Sequence, residues 1–107
     1  MNSQKILTDS QWSHGKIKGF SHKELIDRLN GSVKLVKIDP SSEYPEHVHP
    51  DKTEYAYVIE GSVWITIGDR HLEATEGDFH IFPENIKHSL ANKSIQNCLV
   101  LIGSIKN

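Results

Sequence analysis

His47 and His49 stand two residues apart, Glu54 follows five residues later, and His88 lies further along the chain. Together they offer three imidazoles and one carboxylate, each able to ligate a metal ion. Histidines at i and i+2 share a face only where the backbone is extended. Pro45 and Pro50 bracket the pair and disfavour a helical turn there. Both rings are therefore expected to project together from one strand. Neutral imidazole and ionised carboxylate suit divalent Zn, Fe, Mn, Ni, Co or Cu, so one such ion is the expected cofactor. Three neutral histidines, one ionised glutamate and a divalent ion sum to a charge of about +1, which attracts anionic or oxygen-rich ligands and lowers the pKa of bound water. A six-coordinate ion would keep two adjacent positions open for substrate, water or dioxygen. Open positions separate a working site from a closed structural one, and the lack of a thiolate ligand argues against a structural zinc knuckle.

In a chain of 107 residues with seven histidines, a His-x-His pair arises easily by chance. The second segment gives it weight. Gly77, Pro83, His88 and Asn92 fit the pattern G-x5-P-x-G-x2-H-x3-N, while His47, His49, Glu54 and Gly61 fit G-x5-H-x-H-x3,4-E-x6-G. On these two motifs the chain resembles the cupin superfamily, and specifically its small single-domain members. Residues 62–76 separate the motifs, as in small microbial cupins. Two positions depart from the pattern: Ser41 replaces the opening glycine of the first motif and Asn85 the inner glycine of the second. A turn requiring positive φ favours glycine, and asparagine is next best tolerated. The second departure thus keeps the turn. The first touches only the start of its motif.

The elements that must position these groups read as β almost throughout. Residues 33–38 lead to the Asp39-Pro40 turn, and residues 55–59 and 63–67 are β-rich runs joined at Glu60-Gly61-Ser62. Gly68-Asp69-Arg70 turns the next hairpin, Glu76-Gly77-Asp78 precedes a run at 79–82, and a last strand is expected near 97–102. Upstream, residues 1–20 read as a polar arm with one or two short edge strands. Ser21 and Glu24 have capping-box spacing, Leu25, Ile26 and Leu29 form one stripe, and Gly31 supplies a stop, which predicts a short helix near 22–30. The division expected is an arm with helix over 1–31 and a barrel over 32–107. Many short strands in a chain of this length fit a sandwich or barrel. The resemblance selects an all-β cupin jelly roll, a double-stranded β-helix barrel, with one short N-terminal helix.

Alternation places Ala56 and Val58 on the face of Glu54, and Ile86 and Leu90 beside His88, as candidate substrate contacts. Tyr55, Tyr57 and Trp64 would pack elsewhere. His80, Tyr44 and Glu84 are candidate catalytic or rim groups; His80 could serve as a proton shuttle or as a partner orienting a ligand. His14, His22 and His71 are expected at the surface.

Hydrophobic residues make up 36% of the chain and charged ones 24%, ordinary for a soluble domain with a single core. With a net charge of −2 and no basic block, nucleic acid is a poor partner. No run approaches the ~20 apolar residues of a membrane span and no signal-peptide core is seen, so the expectation is a cytoplasmic protein with no membrane partner. Lone Cys98, in an apolar run, reads as a buried, inert thiol.

The resemblance implies a mononuclear metalloenzyme of dioxygenase, isomerase, decarboxylase or hydrolase class, acting on a small oxygen-rich or carbohydrate-like molecule. Cupins that act on unsaturated uronates often carry Gln at the acidic ligand position, and Glu54 weighs against that group. The alternative is a non-catalytic small-molecule binder or sensor. Vestigial ligands fit least, because buried polar groups without partners cost stability. Cupins commonly pair, and apolar residues on both faces of the 55–67 hairpin need cover, so a homodimer is expected.

Overall fold

A computed structural model describes residues 12–107. The expected N-terminal arm falls largely on residues 1–11, outside those described. Ten strands follow in order: β1 (Ser13–His14), β2 (Phe20–Arg28), β3 (Gly31–Ile38), β4 (Ser42–His47), β5 (Lys52–Glu60), β6 (Ser62–Ile67), β7 (Arg70–Thr75), β8 (Phe79–Phe82), β9 (His88–Asn92) and β10 (Cys98–Lys106). They form two antiparallel sheets, one of six strands ordered β1-β2-β3-β10-β5-β8 and one of four ordered β4-β9-β6-β7. Among the described residues no helix is long and apolar enough to cross a membrane.

The helix expected near 22–30 is a strand. β2 pairs antiparallel with β3 from Phe20 opposite Ile38 to Arg28 opposite Gly31, with an irregularity between Glu24 and Ile26. The stripe that looked helical finds nothing to cover it, with Ile26 half exposed and Leu29 at the turn almost fully so. A helix this short is marginal without a buried face. Pairing along β3 supplies ladder hydrogen bonds along the length of β2, and Gly31, read as a helix stop, instead opens β3 after the Leu29-Asn30 turn of a hairpin.

The inward faces of the sheets meet in an apolar core. Ile38, Val58, Val100 and Cys98 come from the six-stranded sheet, and Val63, Ile65, Ala74 and Leu90 from the other. Each fully buried Val or Ile contributes about 1.5–3 kcal/mol. Truncating Ile65 to alanine would cost roughly 2–5 kcal/mol by leaving a cavity. Cys98 is buried and free, as expected, and desolvation pushes its thiol pKa up to about 11, which disfavours the reactive thiolate. Asn92 is the polar exception within the core. It is buried, its Nδ2 donates to Ile38 O at 2.9 Å and Gln96 O at 2.8 Å, and its Oδ1 accepts from the Ser94 backbone N–H at 3.0 Å. That amide ties the end of β9 to the end of β3, one sheet to the other.

Both turn positions that depart from the motifs adopt the left-handed region, Ser41 at φ 60° and Asn85 at φ 63°. Only side chains that tolerate that geometry fit there. The turn at Asn85 is tied down, since its N–H donates to His49 O at 2.9 Å. The inner turn of the second motif thereby holds the backbone of a histidine from the first.

Candidate metal centre

His47 closes β4 and lies directly opposite His88, which opens β9. β4 is an edge strand, where Pro45 can sit without leaving a ladder carbonyl unpaired. The register shifts between Tyr44 and His47, and the shift falls at this proline. His49 does not share the strand as expected. It lies in the loop 48–51, beyond the end of β4, and its ring centroid is 5.0 Å from that of His47. Pro50 explains why the ladder ends before it. Glu54 comes from the other sheet, on β5, paired with Phe82 on one side and Ser104 on the other.

All three imidazoles surround one carboxylate oxygen. Glu54 Oε1 is 3.0 Å from His88 Nε2, 3.1 Å from His49 Nε2 and 3.9 Å from His47 Nε2. One donor atom from each of the four residues falls within 4.8 Å of all the others. Ligands about 2.1 Å from a common ion can stand up to ~4.2 Å apart, so a shift of a few tenths of an ångström would complete a coordination shell.

Orientation of the rings favours a cation. His47 Nδ1 lies 2.9 Å from Pro45 O, and His88 Nδ1 lies 3.1 Å from Ile86 O. A carbonyl only accepts, so each Nδ1 carries the proton and donates it. In the neutral ring each Nε2 then presents a bare lone pair toward a carboxylate oxygen. Two acceptors face each other stably only with a proton or a metal ion between them. Anchoring of the remote ring nitrogen by a backbone carbonyl is the usual support for a ligating histidine. Phe82 stacks on His88 with centroids 4.7 Å apart, and the Tyr44 ring is 4.8 Å from His47, which fixes both rings from the side. The residues present therefore fit a divalent ion.

Ionisation follows the same logic. Burial pushes the Glu54 carboxyl up, but the His88 hydrogen bond and the nearby charges of His49, Lys52 and His88 outweigh it, and its pKa ends below the ordinary value. Desolvation lowers His49, aided by Lys52, His47 and His88 and opposed by Glu54, so its imidazole is held in the neutral form. An ionised carboxylate and a neutral imidazole are the ligating forms.

The cluster forms one wall of a cavity of about 430 Å³, within the usual range for small-molecule sites. Tyr44 and Leu90 line it, as the sequence reading placed them near the site. Ala56 and Val58 share the face of Glu54 but are fully buried in the core, away from the cavity lining. Ile86 and Glu84 sit exposed in the turn before β9 and do not line it. His80 pairs with Ala56 on the inward side of β8 yet is not among the lining residues. His71 is exposed and bonds Thr66 Oγ1 at 3.1 Å. His14 and His22 were expected at the surface, and Lys16, Lys34 and Lys52 were not singled out; all five line the cavity, His14 exposed and His22 half-buried. His22 and Lys34 had a signal in their spacing from Phe20 and from Val36, but choosing the inward phase needed the sheet register.

The family model described as "Cupin domain" matches residues 34–102. The chain belongs to the cupin family. Among curated relatives, this cupin is 32% identical over 78 residues to putative germin-like protein 2-2 of Oryza sativa subsp. japonica, an alignment covering 64% of this chain and 35% of that one. The chain spans about a third of the length of the curated relatives it matches. Among solved structures, the polyketide cyclase RemF from Streptomyces resistomycificus superposes with a TM-score of 0.86 at 24% identity, covering 98% of this cupin and 80% of that chain. A protein described as a predicted oxalate decarboxylase from Thermotoga maritima gives 0.86 at 15% identity, covering 94% and 96%. At those identities the likeness shows the shared fold.

Proposed function

We propose that this cupin is a mononuclear metal-dependent enzyme, its divalent transition-metal ion held by His47, His49, Glu54 and His88, acting on a small oxygen-rich molecule. One observation carries the reading. Three imidazole nitrogens and a carboxylate oxygen converge on the wall of a ligand-sized cavity, with two of the rings locked so that their Nε2 lone pairs face the convergence point. A bound ion would supply Lewis acidity toward a substrate oxygen. The chain's own residues would orient the rings through the Pro45 and Ile86 carbonyls, keep Glu54 ionised, and shield the inner side with Phe82 and Leu90. Of the three candidate catalytic groups, Tyr44 alone lines the cavity and could meet a bound molecule. Neighbours of the same fold described as a cyclase and a decarboxylase support an activity on small oxygenated compounds.

The test is to strip the protein, offer it Zn, Mn, Fe, Co, Ni and Cu in turn, and count bound metal by elemental analysis. One ion per chain is expected, followed by turnover or dioxygen uptake with small acids, diketones and sugars. A chain that retains no ion overturns the reading. An ion bound with no turnover across the panel favours a non-catalytic binder instead.

We further propose that the chain pairs as a homodimer. Tyr57, Ile59, Phe79 and Ile81 share the outward face of β5 and β8, and Phe79 and Ile81 are 53% and 54% exposed on an edge strand. An apolar edge of this kind needs cover. Light scattering at micromolar concentration should give twice the chain mass, and Ile81→Lys should return the monomer. A monomeric wild type contradicts the pairing.

A further inference from the structure

The cavity holds an imbalance of charge that the four donors do not account for. Glu54 is the single carboxylate among its lining residues, whereas Lys16, Lys34 and Lys52 all line it. Lys34 is the informative one. On β3 it pairs with Ile102, which pairs in turn with Ala56, two residues beyond Glu54 on the same face of β5. The register therefore points Lys34 to the inward side, along with Val36 and Ile102, which also line the cavity. It is half-buried, and no ion pair or hydrogen bond partners its ammonium among the described residues. No buried side-chain nitrogen lacks a partner among the described residues, so this unpaired ammonium is open to the cavity, where an anionic ligand would supply the counter-charge that the lining lacks. Lys52 adds a second ammonium two residues before Glu54, also on its face.

We infer that Lys34 is a specificity-determining residue that binds the carboxylate end of a small substrate whose other, oxygen-bearing end faces the four-donor cluster. The inference rests on the metal-dependent reading above and names the substrate class it takes. Spacing fixes the scale. Two ladder steps of about 4.8 Å and two residues of about 3.4 Å rise put the Lys34 and Glu54 backbones roughly 12 Å apart. With both side chains reaching inward, a body of about four to six carbons would bridge the two ends. Phe20, Val36 and Ile102 between them supply apolar walls for that body. The Lys34 ammonium pairs with one carboxylate at its end of the cavity, while Lys52 stands beside Glu54 at the other.

The probe pair is adipate and hexanoate, matched in length and differing in one terminal carboxylate. Each is titrated into the cobalt(II)-loaded protein, with the visible spectrum of the metal reporting binding. Adipate should bind at least ten-fold tighter than hexanoate. Lys34→Met should lose that preference while leaving hexanoate affinity unchanged, and Lys34→Arg should restore it. If the methionine variant misfolds by circular dichroism, Lys34→Gln serves in its place. Equal affinity of the wild type for both probes overturns the inference with the metal centre intact, as does an equal loss for both probes in the variant. Protein that takes up no cobalt overturns the centre, and this inference with it.

Discussion

Glu54 and His88 approach to 3.0 Å from opposite sheets, the one on β5 and the other on β9. The contact joins the two halves of the barrel at the candidate metal centre, where His88 is the most deeply buried of the three histidines. Removing one donor should therefore weaken metal binding far more than it weakens the fold. His88→Ala and His49→Ala are each expected to lower metal affinity by about a hundred-fold or more. The far-ultraviolet circular dichroism should remain that of a β-protein. Full metal occupancy in either variant would refute the assignment.

Acidification should destabilise the metal-free protein. Glu54 and His49 both have pKa values below their ordinary 4.5 and 6.5. For each, the unfolded chain binds the proton more readily than the folded one, so stability rises with pH through these windows. The share from His49 is complete above about 6.5 and declines as the pH falls below it. That from Glu54 declines below about 4.5. Urea midpoints of the stripped protein at pH 8, 6, 5 and 4 should fall in that order. A midpoint that climbs between pH 7 and 5 contradicts the shifts.

Asn92 acts on the fold and not on the ion. Asn92→Ala deprives the Ile38 carbonyl of its buried donor and opens a void, a loss of about 2–4 kcal/mol. The urea midpoint should drop accordingly, with one metal still bound per folded chain. A variant as stable as the wild type would show that the latch between β9 and β3 contributes nothing.

Ser41 and Asn85 should respond differently to glycine. A left-handed serine costs roughly 1–2 kcal/mol, and the extra freedom of glycine in the unfolded chain returns about 0.5–1 kcal/mol of that. Ser41→Gly is thus expected to stabilise by about 0.5–1 kcal/mol. Asparagine already tolerates the conformation, so Asn85→Gly should change stability much less. Thermal melts of the two variants compare them directly, and a destabilised Ser41→Gly would mean its hydroxyl contributes more than the backbone strain.

What the sequence by itself determined was local in origin. Donor types at 47, 49, 54 and 88, the prolines that keep residues 45–50 out of a helix, and the turn positions at Ser41, Gly61, Gly77 and Asn85 are all legible from spacing and side-chain chemistry. Through their match to the two cupin motifs they imply, by resemblance, the cupin barrel and the four groups that converge at its wall. Tertiary structure alone decided the rest. Residues 20–28 form a strand because β3 offers a continuous partner, a non-local pairing that outweighs a capping box and three spaced apolar residues. Register across β2, β3, β10 and β5 turned His22 and Lys34 inward, and left Ala56 and Val58 in the core instead of the cavity. A one-residue slip in a strand exchanges its two faces. Which face looks inward is therefore a property of the paired sheet and not of any single segment.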